Sequence, residues 1–136
     1  MSTLPNPAPL VTQANAEFWA ATADGRFQLQ RCNECDTVLW FPRRHCPSCW
    51  TENVSTFDAS GKGVIYSFTI IRKGAMLYKD AGPFVVAYVE LAEGPRVMTN
   101  IVDCDVETVK VGMPVEVVFH DTGQGNALYR FRPAAN

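Results

Sequence analysis

Four cysteines lie in two Cys-x-x-Cys pairs within one short stretch of the chain. Cys32 and Cys35 form the first pair, and Cys46 and Cys49 form the second after ten intervening residues. Two such pairs can bring four thiolate sulfurs to the corners of a small tetrahedron, which is the geometry of a structural zinc site. The spacing therefore predicts a closed Zn²⁺ site, and no other feature constrains the fold as strongly.

Two disulfides are the main alternative for these cysteines, but a reducing compartment would keep the thiols free. Spacing alone does not separate zinc from iron, and iron at the same four cysteines would indicate electron transfer. The residues that follow the two pairs, Asp36 and Trp50, stand where glycine usually lets such a knuckle turn. Metal binding remains the favoured interpretation.

Length and charge limit what such a chain does. With 136 residues and a hydrophobic content of 47%, it has room for one small domain and a metal-held appendage. Residues 1–60 carry four basic and six acidic side chains, and residues 61–136 carry eight of each. A nucleic-acid-binding protein normally has a concentrated basic excess, so this balance argues against that class.

Nothing in the sequence predicts insertion into a membrane. The N-terminus lacks a basic region followed by an apolar one, and the longest strongly apolar stretch, 83–91, is too short to span a bilayer. We expect a cytoplasmic protein.

The first segment, residues 1–26, combines a proline-containing arm with a short helix. Residues 1–11 are predicted to be extended or disordered, and Thr12 is predicted to cap a helix that ends near Gly25. Such a helix is too short to be stable alone, so it must dock through Phe18 and Trp19. The surface it docks on is either its own domain or a partner subunit, which makes these two residues candidates for partner binding.

The second segment, residues 27–58, holds the cysteines. Alternation predicts strands at 27–31 and 38–41 around the first knuckle. Arg43 and Arg44 lie between the knuckles, where they would pair with acids or contact the phosphates of a ligand. Because four thiolates complete the site, His45 is expected to be no ligand, and Trp50 is expected to cover the metal.

The third segment, residues 59–136, is predicted to contain five strands with a short helical connection between the third and fourth. This is the arrangement of an OB-fold barrel, and a small open sandwich is the alternative. The first strand should place Val64, Tyr66, Phe68 and Ile70 on its core face. The strands are predicted at residues 64–70, 84–91, 96–102, 115–120 and 128–131.

No convincing catalytic set is present in the sequence. Cys104 lies between Asp103 and Asp105, whose charges would raise the pKa of its thiol, so we expect a small packed residue. His120 is expected at an exposed strand end. A stacking surface for single-stranded nucleic acid would use Tyr66 and Tyr88, but the first of these is predicted to face the core.

The whole pattern resembles a family of small bacterial and archaeal proteins that join a rubredoxin-like zinc ribbon to an OB-fold, formerly a domain of unknown function. The resemblance covers nearly the whole chain and is carried by the following stretches: Phe18-Trp19, Leu29-Gln30-Arg31-Cys32, Cys35, Phe41-Pro42-Arg43, Cys46-Pro47, Cys49, Gly61-Lys62-Gly63-Val64-Ile65-Tyr66-Ser67-Phe68, Pro83-Phe84-Val85-Val86-Ala87 and Val111-Gly112-Met113-Pro114-Val115-Glu116-Val117.

The resemblance implies a protein that is not catalytic alone and works with thiolase-like enzymes, sometimes with acyl-CoA hydratases. Family members help to form the acyl-CoA channel of their partners, and similar domains accompany a thiolase-like aldolase in steroid side-chain degradation. The family's metal ligands map onto Cys32, Cys35, Cys46 and Cys49. We further expect Arg43, Arg44, Arg72 and Lys73 near the CoA phosphates. The competing hypothesis is an OB-fold that binds single-stranded nucleic acid.

Overall fold

The computed structural model describes residues 4–134, which form one helix, eight strands and two 3₁₀ turns. The helix α1 spans Ala16–Ala23, and the 3₁₀ turns span Met76–Tyr78 and Val106–Thr108. The strands are β1 Gln28–Cys32, β2 Val38–Leu39, β3 Val54–Asp58, β4 Lys62–Ile71, β5 Phe84–Leu91, β6 Arg96–Ile101, β7 Pro114–Asp121 and β8 Ala127–Pro133.

The strands form a small sheet and a closed barrel, which confirms the predicted zinc ribbon and OB-fold. The ribbon sheet has the order β2-β1-β3, and the barrel has the order β4-β5-β6-β8-β7. β3 lies in a largely polar stretch, for which the sequence analysis predicts no strand. It pairs with β1 from Gln28 opposite Asp58 to Cys32 opposite Val54, so backbone pairing decides its conformation.

A bulge in β4 reverses the predicted orientation of its first half. Ile65 pairs with Val89 and Ser67 pairs with Tyr88, which leaves Tyr66 without a partner in the ladder. An extra residue changes which side chains face inward, because successive strand residues point to opposite faces. Ile65 is therefore buried, whereas Val64 and Tyr66 are exposed on the outside. The prediction that Tyr66 faces the core was wrong.

The N-terminal arm has no helix or strand over residues 4–11, which agrees with the prediction of an extended segment, and it packs on the barrel. Leu4 is buried with Ala81 and Val102. The helix begins later than predicted, with Asn15 rather than Thr12 as its N-terminal flanking residue. The side chain of Asn15 instead accepts a hydrogen bond from the backbone N–H of Thr12, which closes the preceding turn. Residues 1–3 lie outside the described part of the chain.

The helix docks on the chain's own body through aromatic side chains. Phe18 and Trp19 are only 3% and 6% exposed. The ring of Phe18 lies 5.0–5.9 Å, centroid to centroid, from five other aromatic rings. The complete aromatic cluster is Phe18, Trp19, Phe27, Trp40, Phe41, Tyr129 and Phe131.

A buried hydrogen bond adds to this docking. The hydroxyl of Thr22, which is 1% exposed, accepts a hydrogen bond of 2.9 Å from the backbone N–H of Ala127 at the start of β8. The same hydroxyl donates to the carbonyl of Trp19. Helix, ribbon and barrel thus share one core. The sequence leaves open whether the helix docks on its own domain or on a partner subunit. In this structure it docks on its own domain.

No helix in the described residues is long and apolar enough to cross a membrane.

Phe18 tests the importance of the shared core. Phe18→Ala should lower the free energy of unfolding by about 3–5 kcal/mol, because a buried aromatic ring is replaced by a cavity. Phe18→Leu, which keeps most of the apolar volume, should cost clearly less. Chemical denaturation followed by circular dichroism measures both. A loss below about 1 kcal/mol for Phe18→Ala would contradict the packing described here.

Candidate metal centre

The four predicted cysteines come together. Their sulfur atoms all lie within 4.8 Å of one another. The Sγ atoms of Cys32 and Cys49 are 3.5 Å apart, as are those of Cys35 and Cys46. Zinc–sulfur bonds of about 2.3 Å in a tetrahedron place sulfurs about 3.8 Å apart. The cluster therefore fits a four-coordinate ion of this size, and all four thiols are free of disulfides.

Backbone N–H groups point at two of the sulfurs. The N–H groups of Glu34 and Cys35 each donate to Cys32 Sγ at 3.4 Å, and the N–H of Ser48 donates to Cys46 Sγ at 3.4 Å. Such bonds orient ligand sulfurs and stabilise their negative charge. Cys32 and Cys46 are fully buried, whereas Cys35 and Cys49 are exposed. Each knuckle thus offers one inner and one outer ligand.

Both knuckles turn without glycine. Asp36 and Trp50 occupy the positions after each Cys-x-x-Cys pair, and both have a backbone φ of +65°. Their N–H groups donate to the carbonyls of Cys32 and Cys46 at 3.0 and 2.8 Å. The knuckle geometry is therefore kept, although a left-handed conformation costs free energy for any residue with a Cβ atom.

Thr37 and Thr51 are functional residues that the sequence analysis missed. The N–H of Cys32 donates to the carbonyl of Thr37 at 2.8 Å, and the N–H of Cys46 donates to the carbonyl of Thr51 at 2.9 Å. The signal was present, since each threonine follows its second cysteine by two positions. The two knuckles are thus nearly equivalent in structure as well as in spacing.

The thiols differ in acidity. Hydrogen bonds from the side chain and backbone of Thr37, followed by one from Cys46, lower the pKa of Cys35 to about 6. The backbone bond from Thr51 lowers the pKa of Cys49, but its contacts with Cys32, Cys35 and Cys46, together with burial, raise it to about 12. Of these two thiols Cys35 is therefore the more acidic, and a bound dication would favour all four thiolates.

The predicted neighbours of the site have separate surroundings. His45 Nε2 contacts Glu52 at 3.5 Å and is no member of the sulfur cluster. Trp50 is 75% exposed. This is contrary to the prediction that it covers the metal site.

Of the four basic residues predicted near phosphates, two form ion pairs with carboxylates of the described residues and two do not. Arg44 pairs with Glu52 at 3.3 Å, and Arg72 pairs with Glu107. Arg43 donates to the carbonyl of Trp40 at 3.2 Å. Among residues 4–134, neither Arg43 nor Lys73 has a carboxylate within ion-pair distance.

A cavity of about 650 Å³ lies between α1 and the ribbon, and Arg43, Arg44, Phe18 and Trp40 line it. Gln28, also in its wall, has a buried Oε1 atom without a hydrogen-bond partner. Of the predicted basic residues, only the two between the knuckles therefore border this cavity.

The remaining titratable groups form no catalytic constellation among the described residues. Burial, followed by the charges of Asp103 and Asp105, raises the pKa of Cys104, which makes it a poor nucleophile. Asp105 Oδ1 accepts from the N–H of Glu107 and caps a 3₁₀ turn. His120 is half-buried rather than exposed as predicted, and its Nδ1 lies 2.7 Å from Arg130 Nη1.

Comparison with known proteins identifies both parts of the chain. Residues 19–55 match the family model described as the rubredoxin-like zinc ribbon domain of ChsH2. Residues 57–120 match the model of the C-terminal OB-fold domain of ChsH2. Together these models define a class of proteins in which a zinc ribbon precedes an OB-fold. The chain belongs to this ChsH2, or DUF35, family, as the resemblance in its sequence had implied.

Three relatives differ in the length they share with the chain. A DUF35 domain-containing scaffold protein of Methanocaldococcus jannaschii is 35% identical over 78% of this chain and 80% of its own length. The benzoylsuccinyl-CoA thiolase subunit BbsA of Geobacter metallireducens is 33% identical over 77% of this chain and 73% of its own length. A probable enoyl-CoA hydratase alpha subunit of Thermomonospora curvata is 34% identical over 94% of this chain but only 40% of its own length.

A solved structure matches the fold closely. It is described as the Ltp2-ChsH2(DUF35) aldolase, and the matching chain is 33% identical with a TM-score of 0.84. The match covers 94% of this chain and all of the other. Ribbon, helix and barrel therefore occur together in an experimentally known protein.

Cys46 tests the metal centre, with Cys104 as a matched control outside it. Cys46→Ser should abolish stoichiometric zinc and lower the melting temperature, because it removes a buried ligand. Cys104→Ser should retain the metal. Elemental analysis of purified protein measures both variants. Equal metal content in the two variants would contradict the assignment, and a visible absorption band would indicate iron.

Trp50 tests the strained knuckle. Trp50→Gly should stabilise the fold by about 0.5–1 kcal/mol, because glycine adopts positive φ without the penalty of a Cβ atom. Trp50→Ala removes the same exposed side chain but keeps the strain, so it should give no such gain. Thermal unfolding of the zinc-loaded variants compares them. Equal stability of the two variants would show that the positive φ carries no cost.

Proposed function

We propose that this chain is the non-catalytic accessory subunit of a thiolase-like acyl-CoA enzyme and helps to form that enzyme's acyl-CoA channel. The observation that carries the proposal is the near-complete match to the Ltp2-ChsH2(DUF35) aldolase chain. A thiolase subunit and a hydratase subunit among the relatives agree with a role beside enzymes of acyl-CoA chemistry. Steroid or lipid side-chain degradation is the proposed setting.

The arrangement of polar groups supports an accessory role. Asp105 and His120 are occupied by local contacts, and burial raises the pKa of the Cys104 thiol. The zinc ion proposed for the four cysteines would be structural, because all four coordination positions are filled by protein sulfur and none remains for substrate. Its contribution is to hold the ribbon in shape.

Trp50 is the best candidate for direct contact with the partner enzyme. Tryptophan is among the residues most enriched at the energetic centres of protein interfaces. This one is 75% exposed and stands at a strained position where glycine would fit better. A residue that costs stability without contributing to its own core is expected to serve binding. Met76 and Leu77, in the loop between β4 and β5, are also exposed and offer a second apolar contact.

A role of Phe18 and Trp19 in partner binding remains a prediction of the sequence. In the single chain both rings are buried, so they would act by holding α1 in position. The exposed face of α1, which includes Glu17 and Ala20, would then make the contact. Variants of the two aromatic residues would test folding before they test binding.

The CoA phosphates are proposed to approach the chain through Arg43 and Lys73. Arg43 and Lys73 have no carboxylate partner in the described chain, whereas Arg44 and Arg72 are already neutralised in part. The cavity lined by Arg43 is large enough for part of a cofactor-sized ligand. An acyl-CoA thioester would pass from this side toward the partner's active site.

The test is copurification from native cell extract, with Trp50→Gly as the informative variant. Wild-type bait should recover a thiolase-like enzyme, and Trp50→Gly should lose most of it although the variant folds at least as well. The control is Leu10→Ala, which removes an exposed apolar side chain of the N-terminal arm and should retain the enzyme. Undiminished recovery with Trp50→Gly would show that Trp50 does not contribute to binding of the enzyme.

Single-stranded nucleic acid is the second candidate ligand, because Tyr66 and Tyr88 lie on the outer face of the barrel beside Met98. Aromatic rings on this face stack bases in other OB-folds. The nearby Arg96 is engaged, since it pairs with Glu90 at 3.0 Å and lies 3.8 Å above the Tyr66 ring. Recovery of nucleic acid without an enzyme in the same eluate would favour this candidate.

A further inference from the structure

Arg130 carries a positive charge inside the protein without an acidic partner. The residue is 2% exposed, and no carboxylate of residues 4–134 lies within ion-pair distance of it. Burying a cation costs several kcal/mol unless an anion or several hydrogen bonds compensate it. The surroundings of this guanidinium are therefore informative.

All hydrogen-bond partners of Arg130 in the described chain are uncharged. Nη1 donates to Asn6 Oδ1 at 2.7 Å, and Nη2 donates to the carbonyl of Pro5 at 2.7 Å. Nη1 also lies 2.7 Å from His120 Nδ1. Burial, followed by the charge of Arg130, lowers the pKa of His120, so its imidazole is neutral and accepts the bond. Two of the three partners thus come from the N-terminal arm.

A cavity of about 430 Å³ adjoins this arginine, between the arm and the barrel. Its walls are mainly apolar and include Trp19, Phe84, Val86, Met98 and Leu128. Trp19 also brings an Nε1 atom that is buried and has no hydrogen-bond partner. An unpartnered buried donor is rare in folded proteins and calls for an explanation. The volume is that of a small-ligand site.

We propose that this cavity binds a small organic acid with an apolar body, such as an aromatic carboxylate. The carboxylate would pair with Arg130 in place of the arm oxygens of Pro5 and Asn6, and the apolar body would lie against Trp19 and Met98. Among the lining residues that the structure describes, Arg130 is the one cation, which favours a monoanion over a phosphate. The site does not depend on the function proposed above.

Binding of an acid to Arg130 would also change how the N-terminal arm packs. A carboxylate binds a guanidinium more strongly than neutral oxygens do, because both partners are then charged and two parallel hydrogen bonds can form. A bound acid would therefore release Asn6 from Arg130 and loosen residues 4–7. In the absence of the acid, the arm stabilises the buried charge.

The test is a titration of the full ¹⁵N-labelled chain with benzoate, and with the neutral benzamide as the matched ligand. Benzoate should shift the indole N–H resonance of Trp19, which Trp19→Phe identifies by its disappearance. Benzamide should bind at least about tenfold more weakly, because it lacks the charge that pairs with Arg130. Equal binding of the two ligands, or no shift up to about 10 mM benzoate, would overturn the proposal.

Asn6 supplies the decisive variants, because both are changes on the arm surface and leave the barrel core intact. Asn6→Asp provides an internal carboxylate, so it should raise the melting temperature and weaken benzoate binding at least about tenfold. Asn6→Ala removes a competing acceptor and should strengthen benzoate binding. Unchanged benzoate affinity in Asn6→Asp would show that benzoate binds elsewhere.

Discussion

The contact of Phe18 with the rings around it holds the parts of this protein together. The ribbon has only three short strands and one cluster of four cysteines, and α1 has eight residues, so neither can bury a large core of its own. Both pack on β8 through Tyr129 and Phe131. Because the aromatic cluster contains residues of the helix, the ribbon and the barrel, it fixes the position of the four cysteines relative to the barrel.

This arrangement explains why the ribbon tolerates a strained knuckle. The backbone of Cys46 to Thr51 is closed by hydrogen bonds and by the sulfur cluster, so the surrounding structure dictates the conformation of Trp50. The cost of the positive φ is absorbed by these contacts, and the indole is presented to solvent. A rigid base and an exposed aromatic tip together are what an interface anchor requires.

Sequence reasoning predicted the architecture because its main signals are local. Two Cys-x-x-Cys pairs define the ribbon, and the alternating strands with their turns define the barrel, both in agreement with the structure. The segment boundaries at residues 26/27 and 58/59 remain an interpretation of composition. The zinc ion remains the proposed occupant of the four sulfurs.

What the sequence did not predict depends on non-local contacts. The bulge at Tyr66 is visible only once β4 pairs with β5, and it turned a predicted core residue outward. β3 forms because β1 offers it a partner, although its own pattern is weak. Arg130 is buried although it is charged, and two of its hydrogen-bond acceptors come from the arm, more than 120 positions away.

The central claim is that this chain assists an enzyme and does not catalyse alone. The most direct measurement is the rate of acyl-CoA turnover by the copurified thiolase-like enzyme, by this chain, and by the two together. The account predicts no turnover by this chain alone and a higher rate for the complex than for the enzyme alone. Turnover by the isolated chain, or an enzyme whose rate and substrate affinity do not change when the chain is added, would contradict it.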